Sequence, residues 1–209
     1  MEEPWALGLY RRYYAAERAR AALFAAIAEW ATGQRRVLYP GSFIHVTASF
    51  HFPAVAYVDN NKTARRFFSH RDEVARIIES NKVYTEAPDF TFTFADYENP
   101  LPFPYCHFDL LFSLYAGFVS KPCKRYLAPG GILVANDSHG DASLAHIDHQ
   151  CELIGVVVGS DDTLRVRDDE LDQYFQTKKT LPVSEDLLRE RRRGLDYVHK
   201  APVYLFRKR

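Results

Sequence analysis

Apolar positions along the chain alternate between short runs and longer, helically spaced stretches. Residues 9–31, LYRRYYAAERARAALFAAIAEWA, carry apolar side chains at helical spacing and stop before Thr32-Gly33, as a helix C-terminus does. A leading helix is expected there. Residues 36–39 form a short apolar run broken by Pro40-Gly41-Ser42, and 54–58 form a second run ending at Asp59. These predict two strands joined through a tight turn and a short helix. Asn60-Asn61 then opens a helix through Arg65, Arg66 and Phe68, and Ser69 with Asp72 reads as a capping box for another over 70–80.

Beyond it, FTFTF at 90–94 alternates as a strand and runs into Ala95-Asp96-Tyr97, while NPLPFPY at 99–105 holds three prolines and is expected to be a surface loop. The most apolar run, FDLLFSL at 108–114, predicts a central strand buried on both faces. A helix over 119–127, a turn at Ala128-Pro129-Gly130-Gly131 and a fifth strand at 132–136 follow, then a sixth strand at 152–158 and an extended piece, TLRVR. Helices are expected over 169–176 and 184–193. The second has Ser184 as N-cap, acids in its first turn and arginines in its last. Residues 201–206 predict a last strand. Strands alternating with helices define an α/β chain built on a parallel sheet.

Size suits one such domain: 209 residues, read as a single unit over 1–209, with 1–33 a leading helical segment and 159–193 unassigned. Lys plus Arg equals Asp plus Glu at 27 each, so no overall field favours nucleic acid or an anionic membrane. Cys106, Cys123 and Cys151 are odd in number and lack a C-x-x-C pair, which points to a reducing, cytoplasmic location. No apolar signal core or membrane-length run is present.

The stretch 36–59 reads as the front half of a nucleotide-binding βαβ unit, with Asp59 where such units place an acid on a ribose. No Gly-rich phosphate loop follows the turn, so a nucleoside of little anionic charge is the better ligand. With the helix, P-G-G and strand run at 119–136, this stretch resembles the class I S-adenosylmethionine-dependent methyltransferases. The resemblance covers 36–158 and extends to 194–209. It implies a Rossmann-like, three-layer αβα sandwich with a mostly parallel seven-stranded sheet and an antiparallel last strand. It implies S-adenosylmethionine as cofactor, held by the turn Tyr39, Pro40, Gly41 and Ser42, by Asp59 and Asn60 on the ribose, by Asp96 and Tyr97 near the adenine, and by Leu114 and Tyr115. The family's first loop usually carries an acid and several glycines, whereas this one has a single glycine.

For the chemistry, His139 and Asp141 are the candidate catalytic pair, a base and the group that orients it, at the carboxyl end of the fifth strand. The alternative is that Asp141 caps a helix. His139, Asp141, His146, Asp148 and His149 lie within eleven residues, but at ~100° per residue Leu144, Ile147 and Cys151 define the buried face and turn the histidines outward. No metal is therefore expected. Tyr10, Tyr13 and Tyr14 lie either against the sheet or at the cofactor cleft. The acceptor is read as a small molecule or a protein. Nucleic acid is not expected, because the aromatic motif of the family's adenine-modifying enzymes is absent after the fourth strand. Two alternatives stay open: a non-catalytic nucleoside-binding or interaction protein that keeps the fold, and a related transfer such as aminopropyl transfer.

Overall fold

A computed structural model describes residues 3–14, 18–160, 163–179 and 182–209. The strands are β1 (Arg36–Pro40), β2 (Ala54–Asp59), β3 (Asp89–Phe94), β4 (Phe108–Ser113), β5 (Leu127–Ala135), β6 (Cys151–Val158), β7 (Arg165–Arg167) and β8 (Tyr204–Lys208). They form one sheet in the order β3-β2-β1-β4-β5-β8-β6-β7. The first five are mutually parallel, β8 runs antiparallel between β5 and β6, and β7 is an antiparallel edge. All seven expected strands are present, and the extended piece TLRVR supplies an eighth. Strand order reverses between β1 and β4, the switch point at which open α/β sheets bind ligands.

Period-two alternation sends Val37, Tyr39, Leu110 and Phe112 to one face and Leu38, Leu111 and Leu133 to the other, each into its own core cluster. The first face is covered by α1 (Trp5–Tyr14), α2 (Arg18–Trp30), α3 (Ala48–His51), α4 (Lys62–Ser69) and α5 (Arg71–Glu79). The second is covered by α6 (Ser120–Cys123), α7 (Asp141–Ile147) and α8 (Glu185–Arg191). Phe112, fully buried, meets the rings of Phe24, Tyr39 and Phe52 at 5.1, 5.6 and 5.7 Å. At the opposite end of the same strand Asp109 accepts the backbone N–H groups of Arg35 and Arg36 at 3.2 and 3.0 Å, fastening the start of β1 to β4.

Several elements differ from their sequence reading. The leading helix starts at Trp5, behind Pro4, whose carbonyl accepts the Gly8 N–H at 3.0 Å. Residues 15–17 of the expected 9–31 helix lie outside the described residues. Tyr10 packs inward, its hydroxyl 3.1 Å from Thr47 Oγ1. Ser69 does not cap α5: its hydroxyl donates back to the Arg66 carbonyl at 2.7 Å and closes α4. The expected 119–127 helix is one turn of α6 plus a 3₁₀ turn at Lys124–Tyr126, because Leu127 already pairs with Phe108 in the sheet. Ala128-Pro129-Gly130-Gly131 is therefore a bulge within β5, with Leu127 opposite Phe108 but Ile132 opposite Leu110.

Residues 169–176 form a 3₁₀ turn at Leu171–Gln173 followed by isolated bridges from Tyr174 to His199 and Thr177 to Tyr197, not a helix. Phe175 sits in this stretch at φ 61°, buried, with its ring stacked on His146 at 4.2 Å. The caps Asn61 and Ser184 do form, accepting from Thr63 and Leu187 at 2.7 and 3.2 Å. Among the described residues no helix is long and apolar enough to cross a membrane.

Candidate functional site

Asp59, Asn60 and Gly41 reach the carboxyl-terminal edge of the parallel strands because β1 and β2 end together there. They line a cavity of about 430 Å³ with Asp96, Tyr97, Glu98 and Ala116. Three carboxylates face it, and among the described residues no lysine or arginine lines it. Asp59 is 8% exposed. Its Oδ2 accepts the Phe43 N–H and its Oδ1 the Asn61 N–H, both at 2.7 Å. A carboxylate offers about four lone-pair sites, so each oxygen keeps room for another donor. Asp96 is exposed and holds its own loop by accepting the Glu98 N–H at 3.0 Å.

The floor of this cavity is where two loops touch. Gly41 has φ 66°, its N–H donates to the Val58 carbonyl at 2.7 Å, and a Cβ added to it would strike the Ala116 side chain. Only glycine permits that approach. Ala116 is held in turn by the Tyr97 hydroxyl, which donates to its carbonyl. Burial raises the Tyr97 hydroxyl to about 12, with smaller contributions from the charges of Glu98, Asp141 and Asp96, so it remains a donor at neutral pH. Next door Tyr115 sits at φ 60°, and its N–H donates to Asn136 Oδ1 at 3.2 Å.

The expected cofactor residues thus divide. Gly41, Asp59, Asn60, Asp96 and Tyr97 share the acidic cavity. Tyr39, Leu114 and Tyr115 line a different cavity of about 240 Å³ with Arg20, Phe24 and His45. Alternation explains the split, because Tyr39 and Leu114 pack with the first core cluster. Pro40 and Ser42 line neither cavity; the buried Ser42 hydroxyl lies 3.5 Å from the Phe43 carbonyl. Glu98 was missed in the sequence, whereas Ala116 was read only as part of Tyr115-Ala116-Gly117-Phe118, the run after the fourth strand where a methyl group would be transferred.

The structure does not assemble the expected catalytic pair. His139 is exposed, with Nδ1 3.0 Å from the Ser138 hydroxyl. Asp141 is 1% exposed and turned inward. It accepts from the Ser113 hydroxyl, from the Ser120 N–H at 2.9 Å and from the Ser120 hydroxyl at 2.6 Å. Burial pushes its carboxyl up to about 6 against those hydrogen bonds, and Asp137 adds repulsion. No hydrogen bond joins His139 to Asp141 among the described residues. Asp141 ties β4 to α6 and α7; it is the first residue of α7, whose N-cap is Gly140.

The expected facing of this segment also changes, since α7 ends at Ile147, which is 38% exposed, and Cys151 begins β6. His146 stacks on Phe175, Asp148 pairs with Lys124, and His149 is exposed. No group of three or more His, Cys, Asp or Glu side chains among the described residues is placed to hold a metal ion.

No family model and no curated protein sequence matches the chain. Solved structures do. The N-methyltransferase NodS from Bradyrhizobium japonicum WM9, in complex with S-adenosyl-L-homocysteine, superposes with a TM-score of 0.53 at 12% identity, covering 100% of this chain and 93% of that one. The 16S rRNA methylase RmtB gives 0.53 at 13% identity over 98% of this chain and 69% of that one. The chain spans about half the length of a third, the YcgJ protein of Bacillus subtilis, covering 59% of this chain and 54% of that one at 20% identity and a TM-score of 0.37. At such identities the likeness is one of architecture. The chain has the Rossmann-like fold of the class I S-adenosylmethionine-dependent methyltransferases.

Proposed function

We propose that this chain is an S-adenosylmethionine-dependent methyltransferase whose nucleoside cofactor binds in the acidic cavity at the ends of β1, β2 and β3. One observation carries the reading: Asp59, at the end of β2, faces a cavity shared with Asp96 and free of basic side chains among the described residues. Carboxylates without counter-cations repel phosphate and accept from hydroxyl and amine donors. A ribose diol and a sulfonium-bearing chain meet that chemistry, and a nucleotide pyrophosphate does not. Asp59 would hold the ribose hydroxyls, Asp96 and Tyr97 the adenine end, and the Gly41 turn the remainder. Bound, the cofactor supplies a methyl group activated by its sulfonium leaving group. The protein's own part is proximity and orientation.

The same reading takes residues 1–209 as one domain, a small-molecule or protein acceptor, and a cytoplasmic setting supported by three unpaired cysteines. A specific contact favours a second reading, a nucleoside-binding protein without turnover: Gly41 of the acidic cavity is packed against Ala116, the neighbour of Tyr115 in the cavity holding Tyr39 and Leu114.

Calorimetric titration with S-adenosylmethionine and S-adenosylhomocysteine tests the first reading. Saturable binding to the native chain, weakened about tenfold in Asp96→Ala, is expected. Absence of binding at millimolar concentration would sink it. Binding without methyl transfer to any of a panel of phenols, amines and thiols would favour the second.

A further inference from the structure

The cavity of about 240 Å³ beneath α2 holds an unexplained group. His45 lines it, is 2% exposed, and its Nδ1 lies 3.1 Å from the Tyr39 hydroxyl. Its Nε2 is buried and has no hydrogen-bond partner. A buried polar atom left unpaired is costly, and the neighbours packed on the ring, Tyr14 at 4.6 Å, Phe24 at 5.5 Å and Tyr39 at 6.1 Å, leave Nε2 without a partner. Burial, with the charge of Arg20 second, lowers the imidazole to about 3. It is therefore neutral in the working range, too weak a base to take a proton, and suited to recognition.

The walls are Phe24, Leu114, Leu164 and Val203. The mouth residue Tyr115 is 56% exposed, and the Arg20 guanidinium lies 5.1 Å over its ring and 5.4 Å over that of Tyr14. At about 240 Å³ the space is below the roughly 300–1,000 Å³ of drug-sized sites, which limits the occupant to one ring. An aromatic body suits walls of this kind. A hydroxyl suits His45, because it donates or accepts and so satisfies Nε2 in either tautomer.

We infer that this cavity binds a small single-ring phenol whose hydroxyl pairs with His45 Nε2, on the far side of the Tyr115 loop from the acidic cavity. As a ligand site it stands alone. As the site of the methyl acceptor it rests on the transferase reading above.

The test is titration of the full chain, without nucleoside, with 4-methylphenol and with p-xylene, which differ by a hydroxyl in place of a methyl. Saturable binding of 4-methylphenol, about tenfold tighter than p-xylene, is expected from one hydrogen bond to an otherwise orphaned group. His45→Phe keeps the ring and should bind the two probes alike. Leu164→Trp, at a partly buried wall position, should bind neither while melting within a few degrees of the native chain. Equal binding of both probes by the native chain, a preference that survives His45→Phe, or undiminished phenol binding in Leu164→Trp would each overturn the assignment. Titration with S-adenosylmethionine separates the two proposals. Phenol binding without nucleoside binding leaves the cavity assigned and removes the transferase reading; the reverse removes the cavity.

Discussion

Asp59 holds Phe43, sixteen positions earlier in the chain, through an N–H to carboxylate bond of 2.7 Å. Phe43 takes φ 52°, an unusual backbone for an aromatic residue, and the charged acceptor stabilises it there. The acid expected to meet a ribose is thus also the fastener of the first loop. Asp59→Ala should lose nucleoside binding and also about 2–4 kcal/mol of stability, because two backbone donors lose a charged acceptor. Asp96→Ala, at an exposed position, should weaken binding while changing stability by only about 0.5 kcal/mol. Denaturant melts beside calorimetry check both; an Asp59→Ala variant as stable as the native chain would remove the fastening role.

Gly41 and Ala116 should be energetically coupled. Gly41→Ala meets both a left-handed backbone and the Ala116 side chain, and a loss of about 2 kcal/mol or more is expected. Ala116→Gly removes only the second of these. In a double-mutant cycle it should restore about 0.5–2 kcal/mol of the Gly41→Ala loss; strict additivity would mean that the loops are not in contact.

The Asp141 carboxyl makes stability depend on pH. Its folded value, about 6, exceeds the ordinary 3.8, so its protonated form is favoured in the folded chain. The resulting contribution is full below about pH 4 and is lost as pH rises through 6, amounting to about 3 kcal/mol over that window. Asp141→Asn keeps acceptor and donor for Ser113 and Ser120 and lacks the ionisation. Its stability relative to the native chain should therefore rise between pH 4 and 7, read from urea midpoints at each pH, and a flat difference would contradict the burial argument.

Phe112→Ala removes the ring on which Phe24, Tyr39 and Phe52 converge. About 3–5 kcal/mol should be lost, and His45, which contacts Phe24 and Tyr39 at ring distances of 5.5 and 6.1 Å, should become more accessible. Thermal unfolding and the exchange of the His45 imidazole signal report the two effects separately.

The parallel half of the sheet was legible because its signals are local: runs of Val, Leu and Phe, a Pro-Gly break, a capping Asn61. The positions of Asp59, at the end of β2, and of Asp96, just past β3, were readable for the same reason. What escaped depends on distance in sequence. The bulge at Pro129-Gly130-Gly131 exists because Leu127 finds Phe108, and the non-helical stretch around Phe175 packs its ring on the distant His146. Asp141 looked catalytic from its polar neighbours, and only the fold brings Ser113, 28 residues away, onto its carboxylate. His45 could be read as a filler of the pocket, and its unpartnered nitrogen carried no signal. A single histidine in an apolar stretch reveals its missing partner only once the packing is known.

On the two-cavity reading proposed above, the seat of Ala116 on Gly41, clasped by the Tyr97 hydroxyl, makes any meeting of the two cavities a question of rate. A ligand that must touch both sides waits for the clasp to open. Its observed association rate then climbs with concentration and levels off at the frequency of that opening. A nucleoside confined to the acidic side shows no such plateau.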